Sequence, residues 1–437
     1  MISRGRFGGI NRGFLFLWVV LCQTHCLFAQ DTGLVYKDIK GTIQTKCATC
    51  HRPGEAAPFA LLTYVDVAKR AAFIRKVIAS NYMPPWKADT HYRAFANDRR
   101  LTAGEKDSLF RWIDAGAPRG APADVDVIPE QSAYNRPPDL TLQIDTPFLM
   151  PGDNAERFIV FKLPYELQND EHIEAVEFYC DNKQLIHHAN YGFYSVPDTT
   201  VPIYGGSTFI DGDGLGASLR EYAPLRKNFV YYTGWVPGAS YESYPPGIGW
   251  TLPKRGVVLL TVHYTAAGAD EHSIVGVHLF FTKTPVRRPI RIISFGSGGI
   301  GGDAIRPPLM ILAGHVDSFS LKVKTREDQS LLYVWPHMHY IGKEFRAFAV
   351  APAGDTIPLV YIPHWDFRWQ ELYRLPHPVK IPAGSIINIQ GVYDNTADNP
   401  ANPNSPPRLV FSTGNMESKD EMLTLILIYV SGEGEGF

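Results

Sequence analysis

The sequence predicts a multidomain chain, a small all-α domain followed by two all-β sandwich domains. Three observations predict it. Apolar residues recur at helical spacing from about Tyr36 to Gly116. Beyond that point Gly and Pro become frequent and punctuate short strand-like runs. Those runs fill roughly 300 residues, too many for one small sandwich, so two in tandem fit better.

The elements follow in chain order. Arg4, Arg6 and Arg12 make a basic start, Phe14 to Cys22 is a short apolar core, and Leu27-Phe28-Ala29 offers a small residue for cleavage before Gln30. Residues 1–29 therefore read as an export signal that places the protein in the periplasm or outside the cell. The apolar run is shorter than the ~20 residues that span a bilayer, so no stable membrane span is expected; retention as an anchor is the other reading. Cleavage would remove Cys22 and Cys26, leaving Cys47, Cys50 and Cys180, too few for a disulfide scaffold. Cys180 lies in an apolar stretch and reads as a buried small hydrophobe.

The helical domain is assigned to residues 33–120. Tyr36, Ile39 and Ile43 share one helix face; Val67, Ala71, Ile74 and Ile78 continue at helical spacing. Thr102 and Glu105 form a capping box, Leu109, Trp112 and Ile113 make an apolar stripe, and Gly116 is the stop. Residues 121–140, rich in Pro, Ala and Asp, read as a linker. The two sandwiches are assigned to 141–286 and 287–437. Their strand-like runs are Phe158–Phe161, Val257–Thr265, Val277–Phe281, Ile290–Phe295, Phe319–Val323, Leu331–Trp335, Ile386–Val392 and Leu423–Val430. A formal net charge of -2 gives no reason to expect a nucleic-acid partner.

Chemistry is concentrated in a few motifs. Cys47-Ala48-Thr49-Cys50-His51 is a CxxCH run, expected by chance on the order of once in several hundred such chains. Two thiols at this spacing can form thioethers to haem vinyl groups, and the adjacent imidazole can ligate the iron. A zinc half-site would need a second Cys/His pair at short range, and a thioredoxin-like pair would need a βαβ context. Neither is present. The helical unit, with CxxCH on its first helix, resembles a class I cytochrome c, which implies one covalent haem c. Met83, in Asn81-Tyr82-Met83-Pro84-Pro85-Trp86, is the candidate second axial ligand, because two prolines hold that loop extended. His91 is the competing ligand, and a core filler is the structural alternative for Met83.

The β half carries His187-His188, then His263 in Val262-His263-Tyr264, then His337-Met338-His339, then Asp420-Glu421-Met422. In a strand, i and i+2 share a face, so His337 and His339 can grip one ion. Adjacent His187 and His188 would face opposite ways unless a bulge or strand end intervenes. With 14 His in the chain either pair alone is near background. Isolated His278 and His315 read as ordinary core or surface residues.

Taken in order, these motifs resemble the copper type II, ascorbate-dependent monooxygenases, which include the peptidylglycine α-hydroxylating and dopamine β-hydroxylating enzymes. The resemblance covers roughly residues 135–437 and implies two jelly-roll-like sandwiches facing across a cleft, each with one copper ion. It implies that His187, His188 and His263 hold the electron-storing copper, and that His337, His339 and Met422 hold the copper where oxygen binds and a C–H bond is attacked. Met416 is the alternative thioether, and a core residue is the bland reading of Met422. There are departures. The peptide-amidating branch has an Arg two residues before its H-x-H pair and a Tyr four residues after its Met; here Trp335 and Ile426 stand there. A peptidylglycine substrate therefore has no support.

The expectation is an exported monooxygenase with one haem c and two copper ions. It would take a small-molecule substrate, O2 and electrons from a periplasmic donor relayed through the haem. Its rival is a periplasmic electron-transfer or copper-binding protein without oxygenase activity.

Overall fold

In the computed structural model, residues 33–121, 134–212, 220–239, 241–412 and 420–432 are described. The export-signal assignment, most of the linker, and Met416 lie outside them.

Four helices come first: α1 (Tyr36–Lys46), α2 (Tyr64–Ala68), α3 (Ala71–Ala79) and α4 (Ala103–Asp114). They enclose a core of Tyr36, Ile39, Ile43, Leu61, Val67, Ile74, Ile78, Leu109 and Trp112. The capping box at α4 is formed, with the Thr102 N–H donating to Glu105 at 2.7 Å and the Glu105 N–H to Thr102 Oγ1 at 3.2 Å. Gly116 takes φ +85°, which suits a glycine stop. Two details differ from the sequence reading. The Val67–Ile78 stretch is two helices, because Thr63 and Asp66 cap a short first one and the chain breaks at Lys69-Arg70. The CxxCH run follows α1, as a series of turns in which the Cys50 and His51 N–H groups donate to the Cys47 carbonyl.

The remainder is β. A five-stranded antiparallel sheet runs in the spatial order Phe209–Asp211, Arg157–Glu166, Arg255–Tyr264, Ile186–Ser195, Asn228–Trp235. A ten-stranded sheet covers its inner face with Leu140–Gln143, Val275–Phe281, Glu171–Cys180 and Ile248–Leu252. It then continues through Arg288–Gly296, Thr424–Ser431, Gln329–His337 and Tyr373–Ile381. The second half of this sheet is covered by a four-stranded sheet of Val316–Lys324, Ile386–Asp394, Gly342–Val350 and Thr356–Ile362. Two sandwich cores result, and each strand-like run named above falls within a strand or overlaps one. The sandwiches share one sheet through parallel pairing of Arg288 with Ile248 and Pro289 with Gly249. Cys180 is buried in the first core.

The segment after α3 leaves the helical unit. Ala88 and Phe95 belong to the second sandwich's core. Trp86 packs edge-on against Tyr373 with centroids 5.2 Å apart. The Asp89 and Ala96 N–H groups donate to the Tyr361 and Arg374 carbonyls at 2.8 and 2.7 Å. No helix among the described residues is long and apolar enough to cross a membrane.

Candidate metal centres

Strand alternation decides which residues reach the site. In the five-stranded sheet Phe161, Leu163, Val258, Leu260, Ala189 and Tyr191 face the sandwich core. Their alternates, Phe158, Val160, Leu259, Thr261, His188, Asn190 and Tyr232, face the other way. Facing them from the second sandwich is the strand Gln329–His337, whose Trp335 ring stacks on Tyr232 with centroids 5.6 Å apart. The approach is close. A Cβ on Gly234 would lie 2.7 Å from Trp335 Cη2 and 2.6 Å from Asn190 Oδ1, so only glycine fits.

The two adjacent histidines are brought together by a bulge. His263 pairs with His188, but Tyr264 pairs with Ile186, so His187 is an extra residue at the start of its strand. The irregularity that the sequence requires is therefore at His187 itself. His187, His188 and His263 each offer one ligand atom, all within 4.8 Å of one another. The Nδ1 atoms of His187 and His188 are 3.0 Å apart. His263 donates its Nε2–H to Glu156 at 2.9 Å, and its Nδ1 is buried without a hydrogen-bond partner. A carboxylate on one imidazole nitrogen and an orphaned lone pair on the other is the arrangement of a metal-ligating histidine. The hydrogen bond from His263 in turn holds the Glu156 carboxyl below its usual range.

The second pair is oriented as firmly. His337 Nδ1 donates to Gln370 Oε1, and His339 Nδ1 donates to the Asp420 carbonyl at 2.9 Å. With Nδ1 engaged, each ring offers Nε2 as its ligand atom. The ring centroids are 5.0 Å apart. Burial pushes His187 down to about 4 and His337 to about 3, and His188 well below its ordinary value, with neighbouring imidazoles adding to each shift. These rings are neutral at neutral pH, the form that binds metal.

Met422 reaches the same neighbourhood through its backbone. His337 pairs with Thr424, a register that places Met422 opposite His339 when extended by two residues. Glu421 fastens this contact. Its Oε2 accepts from the His339 and Met422 N–H groups at 2.9 and 3.3 Å, and its Oε1 from the Ile341 N–H at 2.9 Å. Glu421 is fully buried; burial pushes its carboxyl up to about 8 against the opposing pull of those N–H groups. The Met422 methyl lies against Gly298, 3.5 Å from where a Cβ would stand there. Ile426 pairs directly with Trp335, so both departures from the peptide-amidating pattern meet in one apolar contact.

His188, His337 and His339 line one cavity of about 120 Å³, walled mainly by Phe158, Val160, Leu259, Tyr232 and Phe367. Both histidine groups thus open onto a shared space. A three-imidazole nest and a two-imidazole pair suit copper, because imidazole accepts both its oxidation states.

At the CxxCH run, Cys47, Cys50 and His51 are together and the thiols are free. His51 donates Nδ1–H to the Phe59 carbonyl at 3.0 Å and lies against the Phe59 ring, leaving Nε2 as a lone pair. Burial pushes the Cys47 thiol up to about 12. This donor set fits a covalent haem. Met83 is half-buried beyond α3, its N–H bonded to the Val77 carbonyl at 3.2 Å, and His91 is exposed. Cys50 faces the first sandwich, where a Cβ on Gly238 would lie 2.6 Å from its Sγ and from Arg99 Nη1.

Sequence reasoning missed Glu156, Phe367 and Gln370, and quoted Glu421 without its role. Each acts through a partner more than 30 residues away, and no local pattern marks it.

No protein-family model matches the sequence, and no curated protein matches it. Among solved structures, the major capsid protein P2 of Bacteriophage PM2 is 8% identical, with 68% of this chain and 99% of that one covered and a TM-score of 0.23. An allantoicase is 8% identical over 57% of this chain and 81% of that one, with a TM-score of 0.17. A Paenibacillus xanthan lyase is 8% identical over 70% and 28%, with a TM-score of 0.18.

Proposed function

We propose that this protein is an exported haem c- and copper-dependent monooxygenase that hydroxylates a C–H bond of a small substrate. Per turnover, one atom of O2 enters the C–H bond and the other leaves as water, which requires two electrons and two protons. Cys47, Cys50 and His51 would hold the haem, which would supply one-electron transfer from a periplasmic donor. His187, His188 and His263 would hold one copper ion, and His337, His339 and Met422 the other. Copper supplies one-electron storage at the first site and oxygen activation at the second.

The observation that carries this reading is the shared cavity. Imidazoles of both groups meet at one small, largely apolar-walled space, which suits the substrate's C–H region. Phe158, Val160, Leu259 and Tyr232 would bind that region. Glu156 and Gln370 keep His263 and His337 in the tautomers that turn their lone pairs inward.

The rival, a haem and copper protein without oxygenase activity, draws support from one fact: Met422 is not among the residues lining the cavity. Oxygen uptake by the full chain, loaded with copper and haem and supplied with ascorbate, separates the two. A panel of aromatic and aliphatic amines, acids and alcohols, with product mass analysis, should reveal substrate-dependent uptake. His337→Ala should abolish it and leave the haem spectrum intact. Uptake at the wild-type rate in that variant refutes the proposal.

A further inference from the structure

One loop, residues 365–372, touches both histidine groups. The Phe367 ring centroid lies 6.0, 5.9 and 6.4 Å from those of His187, His188 and His263. On its other side it lies 5.6 Å from His339. Tyr340 packs on it at 4.4 Å. The ring is 5% exposed. Three residues on, Gln370 donates Nε2–H to the Phe367 carbonyl at 2.9 Å and accepts from His337 Nδ1. The Trp365 indole N–H donates to the His339 carbonyl at 3.1 Å.

The loop is held from outside by the stretch that follows α3. Lys87 pairs with Asp366 at 3.1 Å, and Arg99 pairs with Glu371. Asn97 donates to Glu371 Oε1 at 3.1 Å and to the Leu372 carbonyl at 2.9 Å. Asn97 Oδ1 accepts from the Arg374 N–H at 2.9 Å. These contacts bracket Phe367 and come from the stretch between α3 and α4, which follows the CxxCH run in the chain.

We propose that this loop is the positioning element of both metal sites. Phe367 is the spacer that keeps them two separate mononuclear centres, and the segment Lys87–Arg99 locks the spacer in place. The inference rests on the two-copper reading above. A phenyl ring offers no ligand to either group. With only two rotatable side-chain bonds, it holds a fixed thickness between the groups. Gln370 ties the same loop to the orientation of His337. The CxxCH half is then more than a tethered electron carrier, because its docking sets the geometry where electrons arrive.

The test uses the full chain loaded with Cu(II), with copper measured by elemental analysis and spin by electron paramagnetic resonance. Wild-type protein should bind two equivalents and show integrated spin matching its copper content, without magnetic interaction. Phe367→Ala leaves a void lined by imidazoles, which water enters. It should keep the two equivalents and lose integrated spin, or broaden, as the ions couple. Phe367→Leu, which retains most of the bulk, should lose less. Lys87→Met, remote from every ligand, should shift the spectrum the same way to a smaller extent, a response that a purely structural surface lysine would not give. Wild-type spectra in Phe367→Ala and Phe367→Leu overturn the spacer, unaltered spectra in Lys87→Met overturn the lock, and fewer than two equivalents in the wild type overturn both. None of these readouts needs turnover. A protein that shows the spin loss and consumes no oxygen refutes the oxygenase reading alone; one that consumes oxygen with unaltered spectra refutes the spacer alone.

Discussion

Glu421→Ala is the sharpest structural perturbation of the second site. The carboxyl group accepts three backbone N–H bonds, from His339, Ile341 and Met422, in a place closed to solvent. Removing it orphans three buried donors at ~1–3 kcal/mol each, less whatever water recovers in the vacated space. A net local loss of about 4 kcal/mol follows. Hydrogen exchange reads this directly, because the His339, Ile341 and Met422 amides exchange only when the clasp opens. Peptides covering 338–342 and 420–424 should lose about 10³-fold in protection, since each ~1.4 kcal/mol is tenfold. Peptides from the strand Arg157–Glu166 should be unchanged. Copper should leave the His337/His339 site first, because the same clasp places Met422 beside His339. Protection within tenfold of wild type in both peptides would show that Glu421 does not hold these segments together.

Three further outcomes are expected. His263→Ala should reduce bound copper from two equivalents to one after dialysis, with covalent haem unchanged; retention of both ions would dissolve the three-imidazole nest. The double change Cys47→Ala with Cys50→Ala should leave no haem on the chain after denaturing electrophoresis, and a persistent haem stain would place attachment elsewhere. Asp366→Asn should show a pH-dependent stability difference. Burial raises the Asp366 carboxyl, but hydrogen bonds from Arg368 and the charge of Lys87 outweigh it and hold the group at about 2, against 3.8 unperturbed. A depressed carboxyl contributes stability above its unfolded value and loses it as pH falls through the folded one. Chemical denaturation at pH 7 should thus find the variant weaker by about 2 kcal/mol, a difference that closes between pH 4 and pH 2. A gap that is constant with pH would mean that Asp366 acts through packing rather than charge.

What was legible in the sequence is what short-range chemistry encodes. Short apolar runs punctuated by Gly and Pro marked the strands, because these strands are buried along most of their length, as residues 256–260 and 424–430 are. The H-x-H pair declared its own geometry, since i and i+2 share a face whatever the sheet does. The His187-His188 pair declared a need for irregularity, and the bulge opposite His263 supplies it at His187. Helix ends were less legible. The Val67–Ile78 stretch breaks at Lys69-Arg70, between the end of α2 and the start of α3, and apolar periodicity carries straight across that break.

The long-range partners were invisible for a physical reason that also explains why the site is robust. His263 needs an acceptor on Nε2, and Glu156 meets that need from just outside a neighbouring strand. The pairing of His263 with Phe158 brings it there, and no residue near 263 announces it. Gln370 and the Asp420 carbonyl do the same for His337 and His339 from a loop and a strand end. These three imidazoles are therefore fixed by elements other than their own strands. A substitution in one supporting element should misorient one ring and leave the remaining ligands poised. Phe367 is the exception, because its single ring contacts imidazoles of both groups and its loop is tied to the CxxCH half through Lys87, Asn97 and Arg99. Damage there should reach both sites at once, so the loop is where a change in the docking of the helical half would be felt by the β half.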